Sequence, residues 1–567
     1  MKKFILPILI ILTSVIYGLP HLLLISKLGN SYTPFTLSGS PITRDEAYAY
    51  APEVNYMLKG HLFLKDAYVS EYSNFPTPFM GETAPSLVFA LLSKLTGSIE
   101  NAFIAADFIF PPIIFFLLYI VTNKLIKNRL YSAAIAFLAV IARDFIAVIP
   151  FPHKTFQYLT FAEGQNYLLY FSLAFHPQLT FIFFSLCFIS FLNLIQSPTR
   201  RKYMLFSGIL FSFLFYSYIF YWTYFVAFYF LIIVYFLIKK EKQILVSLIG
   251  AGAIAFLIAT PYLYNIYRFY KLEIAADFIA KSSLNNVPLP ITLIRYFLIA
   301  LLLYLTTRKK DIKFKIFVLF LLAGVLIAPI SKLIIGQDLE TFHYLRRALM
   351  PFATIGLFVT VFLILKNKNI VITFLSFSII FIFLVYGLNV QMIASEKIQA
   401  SHIKDLDRVN VFKWLKDNTP KESVVGSVNT DFDSLLPIYT QNRVFFPPTD
   451  RTITPTNEGV TRYTILSNLL NINTDWQKNN LDKIISYLFI FQAYDENRSL
   501  NLSSDKRKAA EDEIDYESQG LWRESIKKYK LDYIVVTPDE ITQTKIDPNI
   551  LKYEASFGNY FVYFLIK

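Results

Sequence analysis

Long apolar runs with hardly a charge recur along the first part of this chain. A helix that crosses a bilayer needs about 20 such residues. The runs predict spans at roughly 4–26, 101–122, 130–149, 177–196, 204–217, 220–238, 244–263, 290–307, 316–335, 347–365 and 370–390. The stretch 204–238 holds no charge and is too long for one crossing, so a hairpin turning near 218–221 is expected. The opening run, after Met1-Lys2-Lys3, also resembles a signal peptide; its length favours an uncleaved first span.

The polar positions between the runs alternate in sign. One set of loops holds Lys2, Lys3; Lys124, Lys127, Arg129; Arg200, Arg201, Lys202; Lys239, Lys240, Lys242; Arg308, Lys309, Lys310, Lys313, Lys315; and Lys366, Lys368, against only Glu241 and Asp311. Basic loops stay in the cytoplasm. About 11 spans then place the N-terminus inside and the C-terminus outside a cytoplasmic membrane. Of the 16 acids before residue 391, 14 fall in the other set of loops or near outer helix ends, with His61, His153, His176 and His343. The unusual chemistry is therefore expected on the outer face.

Past residue 391 the pattern changes. Residues 391–567 carry 22 basic and 25 acidic side chains, against 32 and 16 before them. Short β-type runs at 423–428, 444–446, 532–537 and 560–566 and helical periodicity at 403–417, 461–471 and 505–530 predict an α/β domain. The expected organisation is a membrane module, 1–390, with a long first outer loop at 27–100, followed by an extracytoplasmic domain, 391–567. Within the loop, 85–96 reads as a short interfacial helix stopped by Gly97. The chain's 17% charged residues are few for a soluble protein, where about 25% is usual. Its single cysteine, Cys187, excludes an internal disulfide or a thiolate metal cluster. No glycine-rich phosphate loop occurs in the α/β part, and nucleic acid is not an expected partner.

Four places carry candidate chemistry. The first is Thr43-Arg44-Asp45-Glu46-Ala47-Tyr48. Adjacent carboxylates at a membrane surface activate a hydroxyl or hold a divalent cation; Thr43 and Glu46 also read as a capping box for a helix ending at Gly60. The second is Glu71, between Tyr68 and Tyr72 in a proline-rich loop with Asp66 and Glu82. The third is His343-Tyr344-Leu345-Arg346-Arg347, at the start of a span. Arginines there oppose the helix dipole, so an anion is expected beside them, and phosphate suits their planar fork. Pairing with Asp338, Glu340 or lipid headgroups accounts for them equally. The fourth is Arg143-Asp144, inside a span, where an ionisable residue lines a cavity or is paired internally. His176-Pro177-Gln178 opens another span, and no histidine pair has zinc spacing.

The order Asp45-Glu46, Gly60, Pro76, Pro85 and Gly97 after a first span resembles the GT-C glycosyltransferases. It is most similar to the branch with protein mannosyltransferases, lipid A aminoarabinose transferase and the RgtA/B/C/D-like domain. Residues 412–420 and 529–536 resemble phrases common in the outer domains of such proteins. The resemblance covers most of the chain and implies a GT-C-like fold. It implies inverting transfer of a sugar from a polyprenyl-phosphate donor to an extracytoplasmic acceptor, a lipid, glycan or protein. It also implies an acid of the first loop as base, here Asp45 with Glu46 beside it; Glu71 is a further candidate. Donor phosphate would meet His343, Arg346, Arg347 and Arg143. Metal dependence varies in the superfamily, so a divalent metal at Asp45 and Glu46 stays open. No Trp-Trp-Asp motif of the oligosaccharyltransferase branch occurs. The rival readings are a lipid or glycan transporter, which would place binding residues at mid-membrane in repeated broken helices, and a non-catalytic envelope protein.

The charge pattern makes a direct prediction. In a Cys187→Ser background, single cysteines near 200, 240, 310 and 367 should resist a membrane-impermeant thiol reagent in intact cells. Cysteines at 30–80 and 400–560 should react. Labelling from outside within 308–310 would reverse the orientation.

Overall fold

A computed structural model describes residues 4–36, 46–142, 145–160, 168–281, 292–335, 342–493 and 502–566. Helices occupy every predicted span: Ile5–Leu28, Ile99–Ile126, Arg129–Ile141, Thr180–Gln196, Arg201–Phe215, Ile219–Lys239, Lys242–Phe269, Thr292–Thr307, Ile312–Ile335, Met350–Leu365 and Asn369–Ile398. Among the described residues, 8 helices are long and apolar enough to cross a bilayer. Arg129–Ile141 and Leu293–Thr307 are apolar but shorter.

The helix expected over 130–149 stops early. Ala142 leaves the helical region (φ −87°, ψ 89°), a separate turn follows at Phe145–Val148, and the charged Arg143 and Asp144 between them lie outside the described residues. The uncharged stretch turns as a hairpin at Tyr216 and Ser217, and Tyr218 is extended (φ −168°, ψ 124°).

Burial separates central from peripheral helices. In Ala174–Gln196, 83% of the apolar window is buried; in Lys242–Phe269 only 28% is. The inner helices interlock through rings: Phe188 lies 4.1 Å from Phe320 and 5.5 Å from Phe352, and Phe184 stacks on Tyr221 at 4.7 Å. The outer helix leaves Val246, Ile249, Phe256 and Leu257 exposed. Large apolar side chains arrayed along long apolar helices are what a multi-pass membrane protein presents to lipid.

The basic loops gather at one end of this bundle. Lys124 Nζ donates to Asn193 Oδ1, and Lys313 Nζ donates to the Lys124 carbonyl, joining the ends of three helices there. The first long loop and the C-terminal sheet domain sit at the opposite end. The helix ending the loop runs Thr83–Thr96 and stops where Gly97 takes the left-handed conformation (φ +88°) that glycine favours. Ser98 then caps the next helix by accepting from the Asn101 N–H.

The C-terminal sheet has five strands: β1 (Val424–Gly426), β2 (Arg443–Val444), β3 (Tyr533–Val536), β4 (Leu551–Phe557) and β5 (Tyr560–Leu565). Their order is β2-β1-β3-β5-β4; β1 runs parallel to β2 and β3, and β5 runs antiparallel to β3 and β4. The helix expected over 505–530 is broken: Ser504–Tyr516 ends before Gly520 (φ +103°), and Trp522–Ser525 forms a separate turn. The last long helix runs on past residue 391 to Ile398.

Loop and sheet domain are pinned together. Leaving their spans, the chain segments pair: Thr33 N–H donates to the His402 carbonyl (3.0 Å) and Lys404 N–H to that of Ser31 (2.7 Å). Lys404 forms an ion pair with Glu100 at 2.8 Å. Asn55 Nδ2 donates to the carbonyls of Pro437 (2.7 Å) and Thr440 (2.9 Å). Asp66, fully buried, accepts from the N–H groups of Tyr68, Val69 and Ile453 and from the Thr452 hydroxyl.

Arg462 is the deepest ionic tie. It is 0% exposed, pairs with Glu71 at 3.2 Å and Glu458 at 2.8 Å, donates to the Phe445 carbonyl and lies 4.3 Å over the Tyr529 ring. Removing one partner of a buried pair strands the other, at about 3–5 kcal/mol. Glu71 and Glu458 keep partial solvent access, so Arg462→Met should cost about 3 kcal/mol, the lower end of that range. Chemical denaturation of the detergent-solubilised protein, followed by tryptophan fluorescence, checks this; an unchanged midpoint would contradict it.

Candidate functional site

Three wide helical turns of the π type, each leading into a regular α-helix, point at the end of the bundle that carries the sheet domain. They are Glu46–Tyr50, Ala174–Leu179 and His343–Leu349. Such turns re-aim side chains and recur at functional sites. Here they bring in Glu46, His176, His343 and Arg347, while the hairpin turn supplies Tyr218.

Tyr218 is the hub. Arg347 Nη1 donates to its hydroxyl at 2.9 Å, and the hydroxyl is bonded to His343 Nδ1. The His176 ring stacks on Tyr218 at 4.3 Å. His176 is fully buried, and its Nε2 lies 3.7 Å from Glu82 Oε1. Glu82 meets Arg451 of the C-terminal domain at 3.3 Å, and Arg451 also lies 3.8 Å from Glu53. Ser86 donates to Glu53 at 3.2 Å. Arg451 lies over the rings of Tyr50 and Tyr48, at 5.0 and 6.0 Å, and the Tyr48 hydroxyl donates to Asp450 at 2.9 Å. The chain Arg347–Tyr218–His176–Glu82–Arg451–Glu53 is thus continuous.

The Glu53 and Glu82 carboxyls are shifted in opposite directions. Burial raises the Glu53 carboxyl well above its usual range, and the neighbouring Glu82 charge raises it further. Burial also works to raise Glu82, but Arg451, with His176 and the Glu53 hydrogen bond, outweighs it and holds Glu82 below the usual range. These shifts favour a neutral Glu53 beside an ionised Glu82, with the Arg451 guanidinium near both.

The residues singled out from sequence distribute unevenly. Glu46 is buried, and its carboxylate accepts from the Ala174 N–H, locking two of the π turns together. His343 and Arg347 reach Tyr218, while Arg346 is exposed on the same turn. Glu71 is elsewhere: it pairs with Arg462 and accepts from the Lys530 N–H at 2.8 Å, tying the loop to the sheet domain. Asp45, Arg143 and the capping residue Thr43 lie outside the described residues. Among the described residues no group of three or more His, Cys, Asp or Glu is placed to hold a metal. Sequence reading passed over Glu53 and Arg451, saw Tyr218 only as a turn and named Glu82 only as a residue of the proline-rich loop. The available signal was a charged pair, Asp450-Arg451, just after the apolar Phe445-Phe446-Pro447-Pro448.

This architecture is that of a multi-pass helical membrane protein with a C-terminal sheet domain. The chain shares the fold of ArnT from Cupriavidus metallidurans, an aminoarabinose transferase. Its apo crystal structure aligns over 97% of both chains, with a TM-score of 0.51 and 11% identity. A crystal structure of ArnT bound to undecaprenyl phosphate aligns over 97% of both chains, with a TM-score of 0.48 and 11% identity. No family model matches the chain, and no curated protein matches it significantly in sequence.

The upward shift of the Glu53 carboxyl predicts a pH signature. A carboxyl whose folded pKa is raised favours the folded state fully below its unfolded value, about 4.3 for Glu, and loses that contribution as pH rises through the folded value. Wild type should therefore lose thermal stability relative to Glu53→Gln, a neutral isostere, as pH rises above about 4.3. Parallel melting curves for the two proteins between acid and mildly alkaline pH would contradict a protonated Glu53.

Proposed function

We propose that this chain is a membrane glycosyltransferase. It moves a sugar from a polyprenyl-phosphate donor to an acceptor hydroxyl on the face of the cytoplasmic membrane that carries the C-terminal domain, the outer face by the charge of the loops. One observation carries this reading: within a GT-C-like fold, the Arg347–Tyr218–His343 cluster and the Glu82–His176–Arg451 cluster meet at the sheet-domain end of the bundle. A transporter would hold its ligand groups near mid-membrane, and these stand at the helix ends.

The chemistry is an inverting displacement. The acceptor oxygen bonds to the anomeric carbon as the carbon–oxygen bond to phosphate breaks, and the acceptor proton passes to a base. The leaving polyprenyl phosphate needs its developing charge neutralised rather than a proton. Arg347, oriented by Tyr218, and the neighbouring Arg346 supply planar donors suited to that charge. Neither Glu53 nor Glu82 suits the role of base. Burial and the Glu82 charge favour the protonated form of Glu53, and Arg451 favours the ionised form of Glu82, a weak base. The resemblance to the GT-C glycosyltransferases assigns the base to Asp45, next to Glu46, while the Glu53–Glu82 pair positions Arg451 and His176.

Turnover by purified variants, read as polyprenyl phosphate released from a panel of polyprenyl-phosphate sugars, tests the assignment. Asp45→Asn should keep its fold and lose about 10²–10⁴-fold in rate, the usual contribution of a general base. Arg347→Ala should weaken donor binding, and Arg347→Lys should rescue it poorly because it keeps the charge and loses the fork. Near-normal turnover by Asp45→Asn would remove the base, and unchanged donor binding by Arg347→Ala would remove the phosphate site.

A further inference from the structure

The opposite end of the bundle holds a second site. A cavity of about 480 Å³ opens where three helices meet, at the ends of Ile99–Ile126 and Thr180–Gln196 and the start of Ile312–Ile335. Lys124, Lys127 and Lys313 line it, with the carboxamides of Asn123 and Gln196, and its one lining carboxylate is Asp311.

Two of the ammonium groups are held in place by neutral partners. Lys124 Nζ donates to Asn193 Oδ1 at 2.8 Å, and Lys313 Nζ donates to the Lys124 carbonyl at 2.6 Å. These bonds fix position without cancelling charge. Asp311 lies 3.8 Å from Lys313 but its side chain is 76% exposed, and a solvated pair of that kind offsets little. Lys127 caps its helix in the left-handed conformation (φ 54°) with its side chain exposed. The cavity therefore carries a net positive charge.

The helix that begins at Ile312 adds to this. Its first-turn N–H groups and the positive end of its dipole border the cavity, as Ile312 and Lys313 are both in the lining. A lysine in the first turn of a helix is repelled by that dipole. The repulsion among three lysines and a helix N-terminus is relieved by an anion, and phosphate fits the volume and the donors.

We propose that this cavity binds the phosphate of an anionic phospholipid headgroup from the leaflet at the basic end of the bundle. The position, between the ends of membrane helices, is where headgroup phosphate lies, and basic pockets at that depth suit acidic lipids. The carboxamides of Asn123 and Gln196 suit a hydroxylated headgroup such as phosphoglycerol. The proposal rests on the membrane reading and is independent of the transferase assignment.

Native mass spectrometry of the delipidated full-length protein, titrated with phosphatidylglycerol or phosphatidylcholine, tests it. Phosphatidylglycerol should bind more tightly than phosphatidylcholine. Lys127→Gln should weaken only the former, by roughly fivefold for one lysine near a headgroup. Asp311→Asn, which removes the opposing charge at similar size, should strengthen it. Equal binding of the two lipids, or phosphatidylglycerol binding indifferent to both substitutions, overturns the proposal. So does displacement of the lipid by millimolar glycerol 3-phosphate with no preference between lipids, which would make the ligand a soluble phosphate ester. Turnover does not enter this readout, so its failure leaves the outer-face reading untouched.

Discussion

Hydrocarbon cannot hydrogen-bond, and the rest of this molecule follows from that. Every peptide group in the bilayer must be satisfied within its own helix, so the membrane module is a bundle of helices. Charges carry a further cost there, so they are displaced to the two ends, and the ends acquire opposite characters. At one, tethered lysines border a cavity beside a helix N-terminus. At the other, carboxylates, histidines and arginines meet under a sheet domain.

The second end can hold buried charge because protein, not lipid, covers it. Glu82 and Arg451 are compensated by each other, burial favours a neutral Glu53, and aromatic rings surround the guanidinium. A guanidinium over a ring face gains from the ring quadrupole in a dry setting. The covering domain does more than exclude water, because it contributes Asp450 and Arg451. Its attachment is correspondingly redundant: a two-bond ladder where the chain leaves its first and last spans, the buried Asp66 turn, and the Arg462 ties to Glu71 and Glu458.

The same rings that fill the core shape the site. Tyr50 stacks on Phe175 at 4.3 Å and meets the edge of His176 at 4.8 Å. Phe220 packs against His343 at 4.6 Å. These contacts hold the two imidazoles where the π turns aim them, so a side chain such as Tyr218 orients its neighbours through both a hydrogen bond and a stacked face.

The sequence by itself determined the membrane helices and the sorting of charge, because apolar length and loop charge are local quantities that a bilayer reads directly. It also showed the sheet domain and the Gly97 stop. Only the tertiary structure decided which polar residues act together. Glu71 and Glu82 look alike in one proline-rich loop, yet one ties to Arg462 and the other to Arg451 and His176. Tyr218 looked like a turn residue, and Arg451 lies in a different part of the chain altogether. Partnerships of this kind depend on long-range packing of side chains, which leaves no periodicity in the sequence to read.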